Sequence, residues 1–279
     1  MTRLTQSLLT DLADDPGRLT LAGAPQGVDA RVLAQLLAET DRPVLHIARE
    51  DARLDPLAQM VRFFHPEVEV VTLPAWDCLP YDRVGPNPEI AARRMTALYT
   101  LATAPKRQRL LLTTVNAVLQ RVPPRDWVAG QSFSAQPGDT LDLDALTGFL
   151  TANGYARASQ VTEPGEYAVR GGLVDLYPTG GEGPVRLDLF GDELDTIRRF
   201  DPASQRTTDK VAALSLLPAS EFTLDAEAVK RFRRGYVAEF GPVTDDDPLY
   251  EAVSDGRRHQ GAGHWLPLFH DRLETLFDY

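Results

Sequence analysis

At 279 residues, with 43% hydrophobic, 25% charged and 8% aromatic residues, the chain has the balance of a folded protein of about two units of ~100–150 residues each and not of a disordered one. A net charge of −11 and a sequence pI of 4.9 exclude a surface built chiefly to grip nucleic acid, since that affinity rests on Lys and Arg neutralising phosphates. One cysteine, Cys78, excludes an intrachain disulfide. No apolar run approaches the ~20 residues a bilayer requires, and acidic residues interrupt the opening MTRLTQSLLTDLADD, so a cytoplasmic location with no membrane partner is expected.

In chain order, Leu4, Leu8, Leu9 and Leu12 fall at helical spacing, and Arg18–Leu21 reads as a short strand running into Gly23. Val32, Leu33, Leu36 and Leu37 mark a helix, Pro43–Ala48 a buried strand, Leu54–Phe64 a helix and Val68–Leu73 a strand. A helix from about Pro88 to Leu101 leads to a strand over Arg109–Val115. Alternating strands and helices predict a parallel sheet with helices on its faces. Cys78, within LPAWDCLPY, is expected to be a small core residue and not a nucleophile. Near Val122–Pro124 two prolines end this pattern. From about Arg125 to Leu217 glycines punctuate short β-prone runs, predicting strand pairs and turns. After Pro218 a helix returns over Ala226–Phe240, followed by a polar turn at Thr244–Asp247. The expected fold class is therefore α/β, a parallel-sheet domain with an inserted β-rich α+β domain. The divisions fall at 1–124, 125–217 and a return segment 218–279.

Two segments resemble nucleotide-site motifs in position. Gly23-Ala-Pro-Gln-Gly-Val-Asp-Ala30 follows the expected strand and precedes the expected helix, where a Walker A loop would cradle phosphate. Counting from Gly23, however, the second glycine position is Val28, the lysine position is Asp29 and the hydroxyl position is Ala30. A carboxylate at Asp29 faces polyphosphate with like charge and no counterion. Gly23, Gly27, Asp29 and Ala30 are thus read as a degenerate P-loop that serves as a strand-to-helix turn. Leu187–Asp195 offers the acidic pair Asp192 and Glu193, but Gly191-Asp192 between two runs of strand formers fits a hairpin better.

Four segments carry a resemblance: Leu73–Asp82 (LPAWDCLPYD), Glu89–Tyr99 (EIAARRMTALY), Gly165–Pro178 (GEYAVRGGLVDLYP) and Phe200–Thr207 (FDPASQRT). In this order and spacing the chain resembles the UvrB-like N-terminal module of the bacterial transcription-repair coupling factor family. UvrB itself has the same domain plan, but it keeps an intact Walker A loop and carries a long aromatic hairpin after its Tyr-Asp pair. Here only Arg83–Pro88 separates Tyr81-Asp82 from Glu89. The resemblance implies a non-enzymatic docking module that recruits UvrA to stalled RNA polymerase. It implies that other domains of the parent protein pack against the module and mask it, that RNA polymerase and DNA are met through the parent, and that no cofactor is held in this chain. ATP and magnesium are expected only for the parent's translocase motor, beyond Tyr279. The alternative is a UvrB-like, nucleotide-dependent subunit that processes damaged DNA.

The resemblance also places UvrA contacts on Arg170, Arg186 and Phe190. Strand alternation sends Val185, Leu187 and Leu189 to the core and Arg186, Asp188 and Phe190 outward. Two readings of that pattern are open. An outward Phe beside an Arg is an interface anchor, or Arg186 pairs with Asp188 or Glu193 on a solvated strand while Phe190 covers the hairpin turn. The resemblance favours the first. Gly171 and Gly172 are expected to permit a bulge or close backbone approach. His259, His264 and His270 lack the cysteine or carboxylate company of a metal site. Arg93-Arg94 and Arg231, Arg233 and Arg234 are expected on solvated helix faces or in salt bridges.

Overall fold

A computed structural model describes residues 17, 18, 20–104, 108–243 and 247–279. The helix expected around Leu4–Leu12 lies outside these residues, as does the Thr244–Asp247 turn apart from Asp247. Chain contacts divide the described residues into two units. The first runs up to Ala75 and adds Thr103–Gln120, and the second takes Trp76–Ala102 with Arg121–Tyr279.

The first unit is a parallel sheet with helices packed against it. It contains α1 (Val28–Glu39), β1 (Val44–Ala48), α2 (Leu54–Phe64), β2 (Glu69–Leu73), β3 (Arg109–Thr114) and the short α4 (Val115–Leu119); α3 is described with the second unit. The strand order is β1-β3-β2. The central strand β3 reads RLLLTT because both of its faces are covered, which favours a continuous apolar run. Ala30, Leu33, Ala34 and Leu37 recur at helical spacing on α1 and pack with Leu54, Leu57, Ala58 and Val61 of α2 over Leu110 and Leu112. Arg109 pairs with its register partner Glu69 at 3.2 Å. The expected strand over Arg18–Leu21 is not seen at Arg18, Thr20 or Leu21, all exposed and without a ladder partner. Strand-forming residues alone do not make a strand when no neighbour supplies hydrogen bonds.

The second unit holds α3 (Pro88–Thr103, all but its last residue), α5 (Arg125–Gly130), β4 (Phe133–Ala135), α6 (Leu143–Ala152), β5 (Ala156–Arg157), β6 (Glu166–Arg170), β7 (Leu173–Leu176), β8 (Val185–Phe190), β9 (Glu193–Phe200), β10 (Thr207–Lys210), β11 (Leu214–Leu216), α7 (Ala226–Phe240) and α8 (Pro248–Ser254). A six-stranded mixed sheet runs β10-β9-β8-β7-β6-β5, and β11 pairs separately with β4. Tyr167, Val174, Leu176, Val185, Leu187, Leu189, Leu194 and Ile197 on one face of the sheet meet Leu146 and Leu150 of α6 in a single core. The helix α6 falls in a stretch whose glycines predict only strands and turns. The Asp142 side chain caps it, accepting from the amides of Asp144 and Ala145. A second core stacks Phe222, Phe232 and Phe269, with ring centroids 4.2 and 5.1 Å apart, beneath α7.

Two of the basic residues expected on solvated faces or in salt bridges form salt bridges, one of them in the interior. Arg94 of α3 is fully buried and ion-pairs with Glu221 at 2.6 Å, while Arg231 bonds Asp271 and the Phe269 carbonyl. Cys78 is half-buried in a loop and not in a core, and desolvation with Asp77 and Asp82 nearby raises its pKa, against a nucleophilic thiolate. Among the described residues no helix is long and apolar enough to cross a membrane.

Candidate functional site

Gly23 and Gly27 both adopt left-handed backbone, at φ +67° and +91°, and Gly27 opens α1. Asp29 lies in the first helical turn. Its Oδ1 accepts from the Ala30 amide at 2.9 Å and its Oδ2 pairs with the Arg53 guanidinium. The expectation that Asp29 lacks a counterion is therefore corrected. A helix N-terminus favours an anion, and here the chain's own carboxylate meets that preference and Arg53 balances it. His46 beside this pair has its pKa lowered, chiefly by burial.

The outer face of the six-stranded sheet carries the other candidates. The Val185–Phe190 strand alternates as expected: Val185, Leu187 and Leu189 are buried, while Asp188 and Phe190 are exposed. Gly191-Asp192 forms the two-residue turn to β9, with Gly191 at φ +69°. Pairing shifts between Asp188 and Leu189, a bulge-like irregularity of the kind that re-aims side chains at sheet margins. Phe190 beyond it is 85% exposed.

Arg170 ends β6, and the tight Gly171-Gly172 turn follows. A Cβ on Gly172 would stand 2.7 Å from the Leu189 carbonyl oxygen, so the close approach inferred from its glycine is real. Arg170 Nη2 donates to the Ser159 carbonyl at 2.6 Å, and its side chain is 49% exposed. Arg186 is more covered, at 20%. Its guanidinium sits 5.1 Å from the Phe200 ring centroid and donates to both oxygens of Asp175, at 2.6 and 2.8 Å. The partners weighed from sequence for Arg186 were Asp188 and Glu193; the structure gives Asp175, on the neighbouring strand β7. Asp175 also lies 3.7 Å from Arg170. Sequence reasoning missed it, although an acid inside the apolar run LVDLY signals a buried carboxylate that needs a partner.

The three C-terminal histidines are engaged separately. His259 accepts from the Gly261 amide, His264 meets the Val84 carbonyl, and His270 meets the Glu221 carbonyl. Among the described residues no group of three or more His, Cys, Asp or Glu is placed to hold a metal ion.

A β-rich sheet that offers an exposed phenylalanine and a half-exposed arginine has the features of a protein-interaction domain. Residues 133–222, which hold this face, match the family described as the UvrB interaction domain. Over 94% of its length the chain is 38% identical to the transcription-repair-coupling factor of Escherichia coli K12, covering 23% of that protein. The same factor from Haemophilus influenzae is 36% identical over 91% of the chain and 22% of the relative, and that of Bacillus subtilis 24% identical over 98% and 24%. The chain is the counterpart of the N-terminal region of transcription-repair-coupling factors, with its UvrB interaction domain, and spans less than a quarter of the length of the curated relatives it matches.

Proposed function

We propose that this chain is a docking module that binds the repair protein UvrA through the outward face of its β-rich sheet. In the longer protein this contact would bring UvrA to stalled RNA polymerase during transcription-coupled nucleotide excision repair. The observation that carries the reading is Phe190, a large apolar side chain left 85% exposed on the strand that also carries Arg186, within the region that matches the UvrB interaction domain. Aromatic and arginine side chains dominate binding hot spots. Arg170 and Arg186 would meet carboxylates of UvrA, and Phe190 would fill an apolar pocket. The inserted domain is assigned to residues 125–217, set into a degenerate P-loop domain. The ATP-dependent translocase motor, with its ATP and magnesium, belongs to the parent beyond this chain, and other parent domains mask the docking face until RNA polymerase is engaged. The ion pair of Asp29 with Arg53 at the N-terminus of α1 supports a chain that does not itself bind nucleotide. In a titration against purified UvrA, alanine at Arg170, Arg186 or Phe190 is expected to weaken binding about thirtyfold each. Parent-like affinity in all three variants would remove the proposal.

A further inference from the structure

Asp175 is 2% exposed yet belongs to the outer face of the sheet. Its neighbours on β7, Val174 and Leu176, turn into the core, so alternation sends Asp175 the other way. In the register it stands opposite Arg186 on β8 and Ala168 on β6. It is buried because Arg186 covers it, with the guanidinium packed over Phe200, which clusters with Val161 and Ala168 on this same face. Arg170 closes the other side at 3.7 Å and is tied back to the Ser159 carbonyl. A buried carboxylate is costly unless paired, and a face that worked by positive charge alone would gain nothing from one.

We propose that Asp175 is a positioning residue whose carboxylate, held by the fork of Arg186 and flanked by Arg170, fixes the direction in which both arginines are offered to acidic groups of the docking partner. This rests on the docking reading above. The paired oxygens hold the planar guanidinium of Arg186 in one orientation, a constraint that a single-point ammonium cannot provide. Arg170 is confined between Asp175 and the Ser159 carbonyl, so less side-chain freedom is lost when the partner binds.

The test uses the full chain and purified UvrA, at a temperature where circular dichroism shows every variant folded. Asp175→Asn removes a negative charge from a face offered to acidic groups. If charge alone set the affinity, binding would tighten; positioning predicts about tenfold weaker binding. Arg186→Lys keeps the charge but loses the fork, and is expected to weaken binding similarly. Should Asp175→Asn fail to fold, Asp175→Glu, which keeps the charge and displaces both oxygens, decides the matter: positioning predicts weaker binding, and parent-like binding overturns the inference. Asp175→Asn and Arg186→Lys act on one contact, so the double variant should be no weaker than the sum of the singles and measurably short of it. Unchanged or tighter binding in the folded Asp175→Asn variant, with Arg170→Ala and Phe190→Ala still weak, overturns this inference alone. Parent-like binding in Arg170→Ala and Phe190→Ala overturns the docking reading and this inference with it.

Discussion

Replacing Glu221 by glutamine removes one charge from the most enclosed ion pair described in this chain. Glu221 Oε1 accepts from Arg94 Nε at 2.6 Å and from the Trp76 indole at 2.9 Å, and Oε2 receives Arg94 Nη2 at 3.4 Å. The two side chains are 0% and 4% exposed. Glutamine preserves shape but offers one acceptor oxygen where the carboxylate had two, and it removes the negative charge that Glu221 sets against the buried guanidinium. Breaking such a pair from one side costs about 3–5 kcal/mol. A unit of this size shifts its midpoint by ~2–4 °C per kcal/mol, so the thermal midpoint should fall by ~6–20 °C, read by circular dichroism or calorimetry. Replacing both partners with apolar residues, Arg94→Met with Glu221→Leu, should recover most of the loss. Glu221 ends the β-rich region and its carbonyl meets His270, so the change should loosen the anchoring of that region while leaving UvrA affinity intact where the variant is folded. A midpoint within ~2 °C of the parent would refute the reasoning, because removing one charge of a buried pair is not that cheap.

Three further outcomes are expected. Gly172→Ala should cost about 1–3 kcal/mol and weaken UvrA binding, because its Cβ meets the Leu189 carbonyl at 2.7 Å next to Phe190; equal stability and affinity by denaturation and titration would contradict the close approach. Magnesium-ATP added to about millimolar should give no saturable heat in calorimetry, since Asp29 and Arg53 already balance each other where phosphate would sit; a clear binding isotherm would restore the nucleotide reading. Burial holds the pKa values of His46 and His270 below 6.5, so the unfolded chain binds protons that the folded chain refuses. Their contribution is complete above about pH 6.5 and is lost as the pH falls toward the folded values. The thermal midpoint should therefore drop on acidification from about pH 7.5 to 5.5, less so in His270→Gln; a midpoint that rises would contradict the sign.

Much of this architecture is legible in the residues themselves. Leu54–Phe64, Ala226–Phe240 and the hairpin of Val185–Phe190 with Glu193–Phe200 form as the apolar spacing dictates, because a 3.6 or 2.0 period leaves one register for burial. The strand expected to run to Val115 stops at Thr114, whose hydroxyl caps the short helix that follows. What the residues do not reveal is pairing across strands. Arg186 lies next to Asp188 in sequence, yet it bonds Asp175, eleven positions away, because the β7–β8 register sets those two side by side. Arg94 likewise reads as one of a pair of cations on a solvated face or in a salt bridge, but nothing local reveals that its partner is Glu221, far along the chain. Asp29 is legible as the wrong residue for phosphate, but its partner Arg53 is not.

The most direct test of the docking account is photo-cross-linking. A benzophenone side chain at position 190 should form an adduct with purified UvrA on irradiation, while the same probe at Phe63, an equally open phenylalanine at 80% exposure in the first unit, should not. Adducts from position 63 and none from position 190 would mean that UvrA binds elsewhere and that the outward face of the β-rich sheet is not the docking surface.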